Sequence, residues 1–167
     1  IAIDQRSGDS INGVNNIISA MYGDTAKYEE AIPDIEFAIE RAYKKNGNEP
    51  IILLGSSYSS TLALLLGPNN DKVKAMVSFS PGDYFPEVGS VAENLKNTTK
   101  PIWMTYSASE YDEQGGKELA ANGSQEFVTC FKPTGGEGHH GSRALYSEFD
   151  TSTEYWDSLK AFLASIE

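Results

Sequence analysis

A single cysteine, Cys130, stands in the 167 residues. No disulfide can form within the chain, so any fold must rest on a hydrophobic core. Cys130 lies in the apolar run Phe127 to Phe131, where a thiol reads as core packing rather than as a nucleophile. Histidine is nearly as scarce, with His139 and His140 the only two, so chemistry that needs an imidazole must draw on that pair. Basic residues are outnumbered, 13 Lys and Arg against 24 Asp and Glu, and the net charge of −11 argues against a nucleic-acid backbone or an anionic membrane as partner. No apolar stretch approaches the ~20 residues needed to cross a bilayer. The lack of disulfide potential points to a cytoplasmic protein, with a processed exported protein as the alternative. There is neither an initiating Met nor a signal peptide. Ile1-Ala2-Ile3-Asp4 opens in the middle of a strand pattern, so the sequence reads as the C-terminal part of something longer.

What is present suits one domain of 167 residues with a sizeable core, at 40% hydrophobic residues. The organising stretch is Ile51 to Leu66. Ile51 to Leu54, opened by Glu49-Pro50, is a short apolar run expected to be a buried strand. Gly55-Ser56-Ser57-Tyr58-Ser59 follows, then Leu62, Leu65 and Leu66 at helical spacing, stopped by Gly67-Pro68. Strand, sharp turn and helix with a serine at the apex is the context of a nucleophile elbow. Large residues two positions either side of the apex would collide there, and Gly55 and Ser59 keep those positions small around Ser57. The Tyr58 amide, at the N-terminus of the following helix, is placed to stabilise an oxyanion. Serine-rich turns also follow strands for no chemical reason, so the motif alone leaves both readings open.

Further strands are expected at Ile1 to Ile3, Val73 to Phe79, Pro101 to Tyr106 and Phe127 to Phe131. Helices are expected at Lys27 to Lys45, kinked or restarted at Pro33 and capped by Asn46-Gly47, at Glu113 to Ala121, and at Ser152 to Ile166. Ile17, Ile18 and Met21 give a weak helical signal. Ile32, Ile35, Ile39 and Ala42 mark one buried stripe, and Tyr155, Leu159, Phe162, Leu163 and Ile166 another. Ser7 to Gly13 reads as a polar loop, Pro86 to Thr99 as loop with one helical turn, and Gly135 to Gly141 as a mobile loop. Strands alternating with helices predict an α/β fold with a mostly parallel sheet flanked by helices.

Hydrolytic use of Ser57 needs a base and an acid to orient it. The histidine pair, flanked by glycines in the loop after the last strand, supplies the base. Adjacent loop histidines diverge and no third exists, so the pair is not read as a metal site. The acid should follow the strand ending at Tyr106, where Glu110 and Asp112 both qualify; Asp83, after the preceding strand, is a third option. A solvated carboxylate is the commoner fate of each. Asp4 reads as a structural cap of the Gln5 to Gly8 turn.

With these motifs in order, the chain resembles the α/β-hydrolase superfamily, most closely its dienelactone-hydrolase-like branch. Asp4-Gln5-Arg6-Ser7-Gly8 is similar to the D-x-R-x-G turn after the fourth strand, and Gly55 to Ser59 to the elbow. Ser107-Ala108-Ser109-Glu110 is similar to the G-x-x-D acid turn, with Ser for Gly and Glu for Asp, and His140-Gly141 to the H-G at the base. The resemblance covers nearly all of the chain. It implies Ser57 as nucleophile, His140 as base, Glu110 as acid and the Tyr58 amide as oxyanion donor. It implies a small carboxylic ester as substrate, since members of this branch with a lactone substrate use Cys where Ser57 stands, and it implies no cofactor. An acyltransferase or peptidase on the same triad, or a non-catalytic binding or scaffold protein of the same fold, are the rival functions. Arg6 is expected to form a structural salt bridge in preference to holding a substrate carboxylate.

The resemblance also implies a gap. In this superfamily the third strand lies between the fourth and the fifth, and the loop after it gives the second oxyanion amide; neither is found before Ile1. Buried unpaired backbone groups cost about 1–3 kcal/mol each, so a missing N-terminal segment of the same fold is expected as partner.

Overall fold

The structure, a computed structural model, describes residues 1–8, 15–22 and 26–166. The polar loop expected at Ser7 to Gly13 thus lies mostly outside the described residues. Two compact units are present, Ile1–Ile51 and Ile52–Glu167.

In the first unit, α1 (Ile17–Tyr22) and α2 (Ile32–Lys45) are the helices, with a 3₁₀ turn at Tyr28–Ala31. Pro33 falls in the first turn of α2, where its missing N–H costs nothing, so the long helix restarts there. Ile35 and Ile39 are buried, and Asn46 followed by Gly47 at φ +73° closes the helix in the left-handed conformation expected of such a cap. The strand expected over Ile1 to Ile3 does not form: these residues are irregular, and Ile1 is 67% exposed. Apolar character alone does not make a strand; a ladder partner is required, and among the described residues of this unit there is none. Arg6 forms the structural ion pair expected of it. Its Nη2 lies 2.7 Å from Asp34 Oδ1 and its backbone N–H donates to Asp34 Oδ2 at 2.9 Å, which holds the Asp34 carboxyl below its ordinary range. Asp4 accepts from the Ile17 amide at 3.3 Å.

The second unit is a four-stranded parallel sheet in the order β1 (Ile51–Ser56), β2 (Val73–Phe79), β3 (Ile102–Thr105), β4 (Val128–Phe131). Register runs from Met76 opposite Ile102 to Phe79 opposite Thr105, and from Ile102 opposite Val128 to Thr105 opposite Phe131. The C-terminal ends of the strands therefore reach one edge together, the place where open parallel sheets build sites. Side chains alternate across β2. Ala75, Val77 and Phe79 face α7 (Ser152–Ser165) and form a core with Trp103, Leu159 and Phe162. Ser78 on the other face donates to the Ser60 carbonyl of α3 (Tyr58–Leu66) at 3.3 Å, so helices cover both faces. Trp103 is fully buried, edge-on to Phe79 with centroids 5.2 Å apart, and its indole N–H donates to Ser158 at 2.9 Å. Truncating an aromatic buried this way costs about 3–5 kcal/mol. Leu163, expected in the buried stripe of α7, is exposed.

Three local expectations are revised. The stretch Pro86 to Thr99 holds a two-turn helix, α4 (Val91–Asn97), because Ser90 accepts from the Glu93 amide and Asp83 from the Val91 amide at 2.9 Å. The helix expected at Glu113 to Ala121 is shortened to α6 (Gly116–Ala120), entered through Gly115 at φ +88°, and a further short helix, α5 (Ala108–Asp112), forms in the stretch read as the acid turn. Cys130 is partly buried rather than fully in the core, and burial still raises its thiol to about 12, so it remains protonated at neutral pH.

Candidate active site

Ser57 follows β1 and immediately precedes α3, with φ +57° and ψ −130°, a region that non-glycine residues rarely enter. Its N–H donates to the Phe79 carbonyl at 2.8 Å and its carbonyl accepts from the Ser60 amide at 2.9 Å, so the strained apex is held from both sides. The crowding expected at Gly55 is present: a Cβ there would sit 2.3 Å from the Ser59 carbonyl oxygen. Tyr58 is the first residue of α3, which puts its amide at the positive end of that helix.

The three sequence-predicted site residues come together within the second unit. Ser57 Oγ lies 2.9 Å from His140 Nε2, and His140 Nδ1 is hydrogen-bonded to Glu110 Oε1. Burial pushes the Glu110 carboxyl up, but hydrogen bonds from His140, the Ser107 amide and the Ser80 hydroxyl outweigh it and bring it down to about 2. As an ionised carboxylate it can only accept, so Nδ1 carries the proton and Nε2 presents its lone pair to Ser57. The Glu110 hydrogen bond raises the His140 ring above its ordinary 6.5, with burial pulling the other way. The ring is open to solvent, its side chain 57% exposed, while the Glu110 side chain is 13% exposed. The imidazole can therefore meet a solute while its carboxylate partner stays shielded.

Glu110 is the only one of the three candidate acids that reaches the imidazole. Asp112 pairs with Lys132 at 2.7 Å, and Asp83 caps α4. The second histidine, His139, stacks on Phe149 with ring centroids 3.5 Å apart. Glutamate in place of aspartate also has a local reason. Ser107-Ala108-Ser109-Glu110 is a capping box at the start of α5: Ser107 Oγ accepts from the Glu110 amide and Glu110 Oε2 accepts from the Ser107 amide at 2.9 Å. One carboxylate oxygen closes the helix while the other holds the histidine.

Three residues at this site carry no catalytic signal in the sequence. Ser80, which reads there only as the start of a breaker, donates to Glu110 Oε2 at 2.8 Å and accepts from the Gly141 amide at 2.8 Å. Ser56 accepts from the Ser142 amide at 2.9 Å. Tyr155 on α7 is fully buried and donates to the Tyr106 carbonyl at 2.9 Å, with Gly138 packed so closely that a Cβ would lie 2.1 Å from the phenol oxygen. The loop Gly135 to Gly141, expected to be mobile, is instead tied along its length. Glu154 accepts from the Thr134 and Gly135 amides at 2.9 and 3.0 Å, the Glu137 carbonyl accepts from the Ala108 amide at 2.7 Å, and Ser80 takes the Gly141 amide. Among the described residues no three His, Cys, Asp or Glu side chains are grouped to hold a metal ion, and no helix is long and apolar enough to cross a membrane.

No family model matches the chain, and no curated protein matches it by sequence. Solved structures do. An esterase of Pyrococcus furiosus aligns at 13% identity over 86% of this chain and 65% of its own, with a TM-score of 0.65. A Klebsiella pneumoniae protein assigned to the dienelactone hydrolases aligns at 15% identity over 84% of this chain and 62% of its own, with a TM-score of 0.59. An acylaminoacyl peptidase of Pyrococcus horikoshii aligns at 16% identity over 93% of this chain and 31% of its own, with a TM-score of 0.62. The chain thus spans less than two thirds of the length of these three structures. At such identities the likeness is one of fold, and it agrees with the parallel sheet, the elbow and the order of the strands: the chain has the fold of the α/β-hydrolase superfamily.

Proposed function

We propose that the chain is the catalytic part of a serine hydrolase that cleaves small carboxylic esters through Ser57, His140 and Glu110. The reading rests on one observation above all, the 2.9 Å contact between Ser57 Oγ and a ring nitrogen whose partner nitrogen is held by a largely shielded carboxylate. Ser57 Oγ attacks the ester carbonyl carbon while His140 Nε2 takes its proton. The oxyanion that forms is stabilised by the Tyr58 amide and the N-terminal end of α3. His140 returns the proton to the departing alkoxide, leaving an acyl group on Ser57. A water deprotonated by His140 then attacks that acyl carbon, releasing the acid and restoring the serine hydroxyl. Each of these roles falls to a side chain or amide of the chain itself. Ser57→Ala should abolish turnover of a short p-nitrophenyl ester; an unchanged rate rejects the reading.

The likeness to a peptidase structure favours one rival, cleavage of an amide on the same triad. Parallel assays on a p-nitrophenyl ester and the matching p-nitroanilide separate the two. The reading also includes a partner segment of polypeptide along β1. Among the described residues β1 is an edge of the sheet, and Ile52 and Leu54 on it are 36% and 56% exposed, an apolar edge that soluble proteins cover. Amides of β1 should exchange with solvent at edge-strand rates in this chain and gain protection in a longer polypeptide that carries the segment.

A further inference from the structure

Ser80 sits at the turn between β2 and Pro81, 3% exposed and at φ +53°, a left-handed conformation that a serine adopts only when its surroundings require it. Its N–H donates to the Thr105 carbonyl at 2.7 Å, which ties it to the end of β3. Its hydroxyl proton goes to Glu110 Oε2 and its lone pair to the Gly141 amide, each at 2.8 Å. The hydroxyl both donates and accepts, on a residue that is buried.

The consequence is geometric. Glu110 Oε2 receives two donors, the Ser107 amide and the Ser80 hydroxyl, and Oε1 is left for His140 Nδ1. A carboxylate gripped twice at one oxygen cannot turn without losing both bonds. The same hydroxyl fixes the backbone of the residue after the base. One atom thus sets the acid and the base loop in register with each other, across 30 residues on one side and 61 on the other. We infer that Ser80 is a positioning residue of the hydrolytic site, acting through Glu110 and the Gly141 amide on the orientation of His140. The inference rests on the triad reading of Ser57, His140 and Glu110.

The test uses two variants, Ser80→Ala and Ser80→Gly. Both remove the hydroxyl, but glycine accepts the left-handed backbone without strain, so a loss caused by backbone strain alone appears in alanine and not in glycine. The His140 Nδ1 proton is followed by NMR without any substrate, and ester turnover is measured alongside. In the unmodified chain that proton should resonate far downfield, and it should move upfield in both variants. Values of kcat should fall about ten- to a hundredfold in both, the scale for losing a hydrogen bond to a charged group, with KM unchanged. Made on a Glu110→Gln background, Ser80→Ala should cost a clearly smaller factor in kcat than it does alone, because the part of the effect that runs through the carboxylate is already lost and only the part that runs through the Gly141 amide remains. An unmoved resonance overturns the inference, as does a kcat loss that glycine restores, or a loss of the same factor on the Glu110→Gln background. A chain that turns over no ester while the resonance still moves defeats the esterase reading and leaves the positioning role in place.

Discussion

Replacing Glu110 by glutamine keeps the side chain's shape and removes its charge. Two donors, the Ser107 amide and the Ser80 hydroxyl, converge on Oε2, so the amide oxygen of the glutamine must take that position. Its NH₂ then faces His140 Nδ1, two donors cannot meet, and the ring is driven to the tautomer with the proton on Nε2, aimed at Ser57. A neutral imidazole in that tautomer cannot accept the serine proton. Loss of the correct tautomer in a triad costs about 10³–10⁴ in kcat, or roughly 4–5.5 kcal/mol of barrier. The pH profile should move as well. In the unmodified chain Glu110 raises the His140 ring above 6.5, so the acid limb of kcat/KM lies above that value; without the charge the limb should fall toward 6.5. Stability carries a matching sign. The Glu110 carboxyl is held at about 2, so its contribution is present above the ordinary 4.5 and is lost as pH falls toward 2. The His140 contribution is complete below 6.5 and is lost as pH rises through the raised value. Steady-state kinetics and urea unfolding across this range, on both proteins, measure all of it. A glutamine variant with kcat within tenfold of the unmodified chain, or with its acid limb moved upward, would refute the reasoning.

Gly141→Ala places a Cβ 2.7 Å from Ser56 Oγ at a residue with φ +68°. It should displace His140, lower kcat by about a hundredfold and destabilise the chain by roughly 1–2 kcal/mol, read from kinetics and urea unfolding. Gly55→Ala meets backbone instead of a movable side chain, the Ser59 carbonyl at 2.3 Å, and should cost about 1–3 kcal/mol in urea unfolding together with most of the activity. Asp112→Asn removes only a half-exposed partner of Lys132 and should leave kcat within about twofold and stability within ~1 kcal/mol.

The parts of the fold that could be read in advance are those fixed by neighbours in the chain. A short run of branched apolar residues opened by Glu49-Pro50, then small residues and a leucine-rich stretch, reads as strand, turn and helix, and Gly55 reports the crowding of that turn directly. The order of Ser57, Glu110 and His140 followed because consecutive parallel strands deliver their loops to one edge. Features set by distant partners were hidden. Ile1 to Ile3 has strand composition, but a strand also needs a neighbour to pair with. The loop before His140 is rich in glycine, yet Glu154 and Tyr155, lying beyond it on α7, hold or pack against it. Ser80 looks like any serine before a proline until β2, α5 and the base loop meet around its hydroxyl. Helix α5 is unexpected because Ser107-Ala108-Ser109-Glu110 reads as a turn presenting a carboxylate, whereas Ser107 and Glu110 also form the capping box that starts a helix.

The most direct measurement of the central claim is reaction with a fluorophosphonate followed by peptide mass spectrometry. An activated serine should take up one phosphonyl group, located on Ser57, and the reaction should disappear in His140→Ala. No adduct, an adduct on another residue, or labelling at the same rate without His140 would contradict the account.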